Sequence, residues 1–187
     1  MNKKTVALTS RQYTEIIETM QRGFCGMRPN LRVATALVIE ANLGLRICDI
    51  LNLRLADIVK DGERYRLNIH EKKTGKLRTF TVPSPIYLYI ENYCLKNGIE
   101  KSDRIFPISS RTVQSILKIT CDHLEYENIS THSFRKFYAT EIYKSNNYNI
   151  VLVQHLLQHS SSSVTQRYIG LKPQEIEAAI LKHSRLL

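Results

Sequence analysis

The sequence has no tryptophan, and only 7 glycines and 5 prolines among its 187 residues. That composition excludes low-complexity and collagen-like classes. No apolar run reaches the ~18 residues needed to cross a membrane. The N-terminal lysines have no apolar stretch behind them, so Met1–Ser10 does not read as a secretory signal, and a cytoplasmic protein is expected. Cysteine is sparse. Cys25, Cys48, Cys94 and Cys121 form no C-x-x-C pair and no Cys/His cluster with zinc spacing, so reduced, mostly buried thiols are expected. A compact acidic cluster, which a metal-dependent nuclease would need, is also missing.

What is present suits one domain with a sizeable core, since 43% of the residues are hydrophobic. The formal net charge is +10. A surplus of that size favours a polyanionic partner, most simply nucleic acid, although a basic protein without that role has the same arithmetic.

Periodicity predicts a mostly helical chain with a small sheet. Thr9 and Ser10 can cap a first helix with Ile16, Ile17 and Met20 on one face. Leu31–Leu43 is apolar nearly all round and reads as a buried helix stopped by Gly44. A short helix follows with Ile47, Ile50 and Leu51 on one side. The period then changes to two. Leu55–Val59, Tyr65–Ile69 and Leu77–Val82 are predicted strands of an antiparallel meander, joined at Asp61-Gly62 and at Lys72–Lys76. Tyr65, Leu67 and Ile69 alternate with Arg66, Asn68 and His70. Helices are predicted again with Ser84 as cap and Pro85 as first residue up to Gly98, from Ser109 or Ser110, over Ser133–Ser145, over Asn149–Gln158, around Tyr168, and from Pro173.

Breaking a phosphodiester takes a nucleophile, stabilisation of charge on the non-bridging oxygens, and a proton for the leaving oxygen. This chain offers cations near helix ends. His132 and Arg135 are three apart at a helix start and share a face. The segment His155–Tyr168 carries two histidines, a polar turn and a tyrosine. Singly, each has a plain reading: a solvated Arg, a structural His, a packing Tyr. His155 and His159 could form a helical metal pair, but no third ligand is evident.

In order, however, these segments resemble the tyrosine recombinase (phage integrase) family. Gly44-Leu45-Arg46-Ile47-Cys48-Asp49-Ile50-Leu51 is similar to the family's first box, with Arg46 in the place of its catalytic arginine. Lys73-Thr74-Gly75-Lys76 is similar to the catalytic lysine turn, with Lys73 in the lysine place. His132-Ser133-Phe134-Arg135 matches the H-x-x-R box. Leu157-Gln158-His159 followed by Thr165-Gln166-Arg167-Tyr168 matches the last box, where a histidine precedes the nucleophilic tyrosine by nine residues. Gln158, Cys48-Asp49 and Lys136 depart from the usual Gly, Ser-Glu and His.

The resemblance implies the tyrosine recombinase catalytic-domain fold and a site-specific recombinase or integrase. Tyr168 would attack DNA and form a 3′-phosphotyrosyl link. Arg46 and Arg135 would clamp the phosphate, with Asp49 orienting Arg46. His132 would be the base, Lys73 the acid for the leaving 5′ oxygen, and His159 a phosphate donor. No metal or other cofactor is implied. The expected partners are double-stranded DNA and further copies of the chain in a synaptic tetramer, with no membrane. Residues 1–187 would be the catalytic domain, without the N-terminal domain that closes the DNA clamp in most members. Ile176–Leu187 would dock on a neighbouring protomer or pack on its own domain. A non-catalytic DNA-binding regulator on the same fold and a type IB topoisomerase are the competing readings.

Overall fold

Thr9 begins the first helix, α1 (Ser10–Arg22), with a capping box: its hydroxyl accepts the Gln12 N–H at 3.2 Å, and its own N–H donates to the Gln12 side chain at 3.0 Å. Such a cap contributes about 1 kcal/mol. Ile16, Ile17 and Met20 are buried, as their spacing predicts. Asn30 caps α2 (Leu31–Leu43), which is buried along most of its length and ends at Gly44 in the left-handed region, φ 60°. The short α3 (Ile47–Ile50) buries Ile47 and Ile50.

The computed structural model describes residues 5–72, 75 and 77–169. It divides into two compact units, one up to Tyr138 and one from Ala139 onward.

In the first unit the sheet starts later than predicted. Leu55–Asp57 forms a 3-10 turn, and β1 runs Ile58–Asp61. Two bonds cause this: the Asp57 carboxylate accepts the Arg54 N–H at 2.8 Å, and Ala56 N–H donates to the distant Lys101 carbonyl at 2.9 Å. These bonds compete with a ladder. β2 (Arg64–His70) and β3 (Leu77–Val82) complete the predicted antiparallel meander in the order β1-β2-β3. Leu67, on the inner face, lies opposite Ile58 on one side and Phe80 on the other. Tyr65 stacks on Tyr87 of α4 (Ser84–Lys96) with centroids 3.7 Å apart, joining sheet to helix. The expected Ser84 cap is displaced by one residue. Pro83 occupies the cap position, its carbonyl accepting the N–H groups of Ile86 and Tyr87.

Ser109 caps α5 (Ser110–His123), which buries Val113 and Leu117. α6 (Thr131–Ser145) starts two residues before the predicted Ser133. A reciprocal pair of bonds between Ser130 and Ser133, at 2.9 and 3.1 Å, closes its first turn. Phe106, Phe134 and Leu37 are wholly buried in the core, and each such side chain contributes roughly 1.5–3 kcal/mol by leaving water.

α6 crosses into the second unit. There Asn149 caps α7 (Ile150–Leu157), Gln158 ends it in the left-handed region, and α8 (Ser162–Ile169) follows. Val153, Leu157 and Thr165 are buried. The helix predicted from Pro173, and with it Ile176–Leu187, lies outside the described residues. The cysteines are free thiols. Cys94 and Cys121 are buried, Cys48 is half-buried, and Cys25 is exposed. Among the described residues no helix is long and apolar enough to cross a membrane.

Candidate active site

Arg46 stands at the cap position of α3, directly after the Gly44 turn that ends α2. Its Nη1 donates to Glu71 Oε2 at 2.5 Å. The other oxygen, Oε1, accepts Arg78 Nη1 at 3.0 Å. The Glu71 side chain is 0% exposed, that of Arg78 4% and that of Arg46 18%. One buried carboxylate therefore bridges two arginines, with Arg46 the more accessible of the two. The alternation that places Leu67 and Ile69 inside carries on to Glu71, and β3 places Arg78 on the same inner side as Val82. A charged residue at an inward parity position was the available sequence signal, and it was missed.

The role expected of Asp49 differs. The Arg46 ion pair comes from Glu71, while Asp49 Oδ1 accepts the backbone N–H of Lys72 at 2.8 Å. The carbonyl of Glu71 also accepts the Gly75 N–H at 2.8 Å. The arginine turn and the base of the hairpin are thus joined through backbone and carboxylate bonds. Lys73, Thr74 and Lys76 lie outside the described residues.

His132 and Arg135 occupy the first turns of α6, His132 exposed and Arg135 only 2% exposed. A buried guanidinium needs compensating charge. Glu40, 0% exposed on α2, supplies an acidic group within electrostatic reach. Burial pushes the Glu40 carboxyl well above its usual range; the charge of Arg135 and the Ile47 backbone offset this in part. Tyr138, one turn beyond Arg135, lies against the end of α2 where a Cβ on Gly44 would collide with its ring. Burial raises its phenol, and the charges of Arg78 and Arg135 both act on it in the opposite direction. Arg46, Glu71 and Arg78 thus form an ion-paired cluster in the first unit, and the charges of Arg78 and Arg135 both act on Tyr138.

In the second unit the turn at Gln158 delivers His159. Its Nδ1 lies 3.1 Å from the hydroxyl of buried Thr165, one helical turn before Tyr168. The rings of His159 and Tyr168 meet edge to face, centroids 5.0 Å apart. Gln158, at φ 53°, adopts the left-handed conformation for which glycine is commoner. Among the described residues no group of three His, Cys, Asp or Glu side chains is placed to hold a metal ion.

The family model described as the phage integrase family matches residues 7–175. Tyrosine recombinase XerA of Pyrococcus furiosus is 27% identical over 188 residues, covering 93% of this chain and 60% of XerA. The probable integrase/recombinase YoeC of Bacillus subtilis is 30% identical over 155 residues, covering 82% of this chain and 85% of YoeC. The chain therefore spans about three fifths of the first relative and most of the second. Among solved structures, XerH recombinase bound to its difH substrate matches with a TM-score of 0.70 at 19% identity, over 96% of this chain and 55% of that one. The catalytic domain of bacteriophage HP1 integrase matches with a TM-score of 0.65 at 18% identity, over 96% of each chain. The fold is that of a tyrosine recombinase catalytic domain, and the family match runs through both arginine segments and the Tyr168 helix: the chain belongs to the phage integrase family, the tyrosine recombinases.

Proposed function

We propose that this chain is the catalytic domain of a site-specific recombinase or integrase that cuts and rejoins double-stranded DNA through a 3′-phosphotyrosyl link at Tyr168. The observation that carries the reading is the arrangement at Arg46 and Arg135. Both belong to boxes of the matched family; Arg46 is ion-paired with buried Glu71, and the charge of Arg135 acts on buried Glu40. Two arginine side chains suit a phosphate that must be gripped without metal ions.

The chemistry divides among the residues as follows. Arg46 and Arg135 hold the scissile phosphate and spread the charge that develops on its non-bridging oxygens. Tyr168 attacks phosphorus, and the 5′ oxygen departs. A phenol with a pKa near ~10 is a weak nucleophile at neutral pH and needs its proton taken. His132, exposed at the start of α6, is the base. His159, oriented through Nδ1 by Thr165, donates to the phosphate from its other nitrogen. Lys73 protonates the leaving oxygen. The reverse sequence, with another strand's 5′ hydroxyl as nucleophile, rejoins the DNA. Exchange between two duplexes requires four such centres, so a synaptic tetramer is the working assembly.

The test is covalent trapping. Duplexes covering the DNA that flanks the chain's own gene, nicked close to the scissile position, lose a short fragment after cleavage and leave the protein attached. A denaturant-resistant protein–DNA band supports the reading. A protein that binds these duplexes and never attaches is a regulator. Site-independent relaxation of supercoiled plasmid points to a topoisomerase.

A further inference from the structure

We propose that Glu71 is the positioning residue for Arg46, and that Arg78 anchors Glu71 so that the phosphate-binding arginine and the base of the lysine hairpin move as one body. The proposal rests on the function argued above and extends it to two residues outside the family's six matched positions.

The geometry supplies the reasons. Arg46 comes from a turn, not from the interior of a long helix, so its backbone alone restrains the side chain weakly. Glu71 follows β2 directly and is wholly buried. Arg78 lies within β3, one strand over, and is buried as well. The two carboxylate oxygens are divided between the two guanidiniums, at 2.5 and 3.0 Å. Glu71 cannot rotate toward one partner without loosening the other. A buried carboxylate that loses a partner is left as an uncompensated charge, so the bridge is stiff. Within the bridge one carboxylate is shared by two guanidiniums, so Arg46 keeps attraction for a phosphate while its orientation is held.

The same residue ties in the hairpin. The Glu71 carbonyl accepts the Gly75 N–H, and its neighbour Lys72 donates its N–H to Asp49, three residues from Arg46. Displacing Glu71 therefore disturbs Arg46 directly and the base of the hairpin through the backbone. Glu71 touches neither DNA nor the reacting atoms in this scheme; it acts through Arg46.

The experiment compares single-turnover attachment on two nicked duplexes. One has the ordinary scissile phosphodiester; the other carries a methylphosphonate there. Replacing a non-bridging oxygen by methyl removes the charge that Arg46 has to stabilise. Glu71→Gln keeps the size of the side chain and removes its charge. It should slow attachment by about a hundredfold on the phosphodiester, the scale of a misplaced catalytic group, and come close to wild type on the methylphosphonate. Arg78→Lys keeps the charge but loses the planar fork. It should show the same pattern more weakly, and it serves if Glu71→Gln does not fold. Asp61→Asn, which breaks the exposed Arg66–Asp61 pair, controls for any loss of a surface ion pair and should leave both rates unchanged. Equal slowing on both substrates would make Glu71 merely structural, and no slowing on either would overturn the proposal outright. Wild-type protein that fails to attach to either duplex defeats the recombinase reading itself, a different result from a variant that behaves like wild type.

Discussion

The imidazole of His159 stands edge-on to the ring of Tyr168, with the planes 78° apart. The contact is between rings and does not require the hydroxyl. Tyr168→Phe should therefore preserve the packing of α7 on α8 while removing the nucleophile. We expect covalent attachment to vanish and DNA binding to stay near wild type, because affinity comes from many phosphate contacts and falls steeply with salt. Mobility shifts at two salt concentrations, run beside denaturing gels, measure both. Attachment that survives in this variant would assign the nucleophile elsewhere.

Gly44 satisfies two demands at once. Its φ of 60° ends α2, and the space where a Cβ would project is filled by the Tyr138 ring. A left-handed non-glycine residue costs roughly 1–2 kcal/mol, and crowding a packed core adds about 1–3 kcal/mol. Gly44→Ala should lower unfolding free energy by roughly 2 kcal/mol or more on these scales, as read from urea midpoints at constant slope. A loss under half that size would mean that Tyr138 swings aside freely.

Glu40 gives a pH signature. Burial holds its folded pKa above the ordinary 4.5, so the folded state binds that proton more tightly than the unfolded chain does. The associated stability is complete below the unfolded value and is lost as pH climbs toward the folded one. Glu40→Gln removes this titration. Relative to wild type it should gain stability on going from pH 5 to pH 8. Urea melts at both values decide the matter, and a difference independent of pH would show that Glu40 stays ionised beside Arg135.

Lys73 is tested by its leaving group. As general acid it would contribute about a hundredfold or more. Lys73→Ala should cleave ordinary DNA poorly and recover when the leaving 5′ oxygen is replaced by sulfur, since a thiolate departs without a proton. Lys72→Ala and Lys76→Ala should show no such recovery. Rescue of Lys76→Ala instead would transfer the role to that lysine; rescue of none would leave the hairpin as a DNA-positioning element.

The helices among the described residues, the meander and the family were legible in the sequence. The signals for these are local: Thr9, Asn149 and Gly44 act on backbone groups a few residues away, and the period of two over Tyr65–Ile69 follows from the pleat. The start of β1 was misplaced because an Asp57 side-chain bond and a distant carbonyl at Lys101 compete with the ladder, and the second of these depends on chain proximity. Which acid meets Arg46 follows from how the elements pack. Asp49, three residues from Arg46, was the partner that the family resemblance implied. The partner is Glu71, 25 positions away, because the end of β2 brings its carboxylate beside the α3 turn. Glu40 on α2 likewise feels the charge of Arg135 on α6, a residue far away in the sequence. Sequence spacing reports which residues share a face. It carries no record of which faces meet, and the energy of a buried charge is set by the group that meets it.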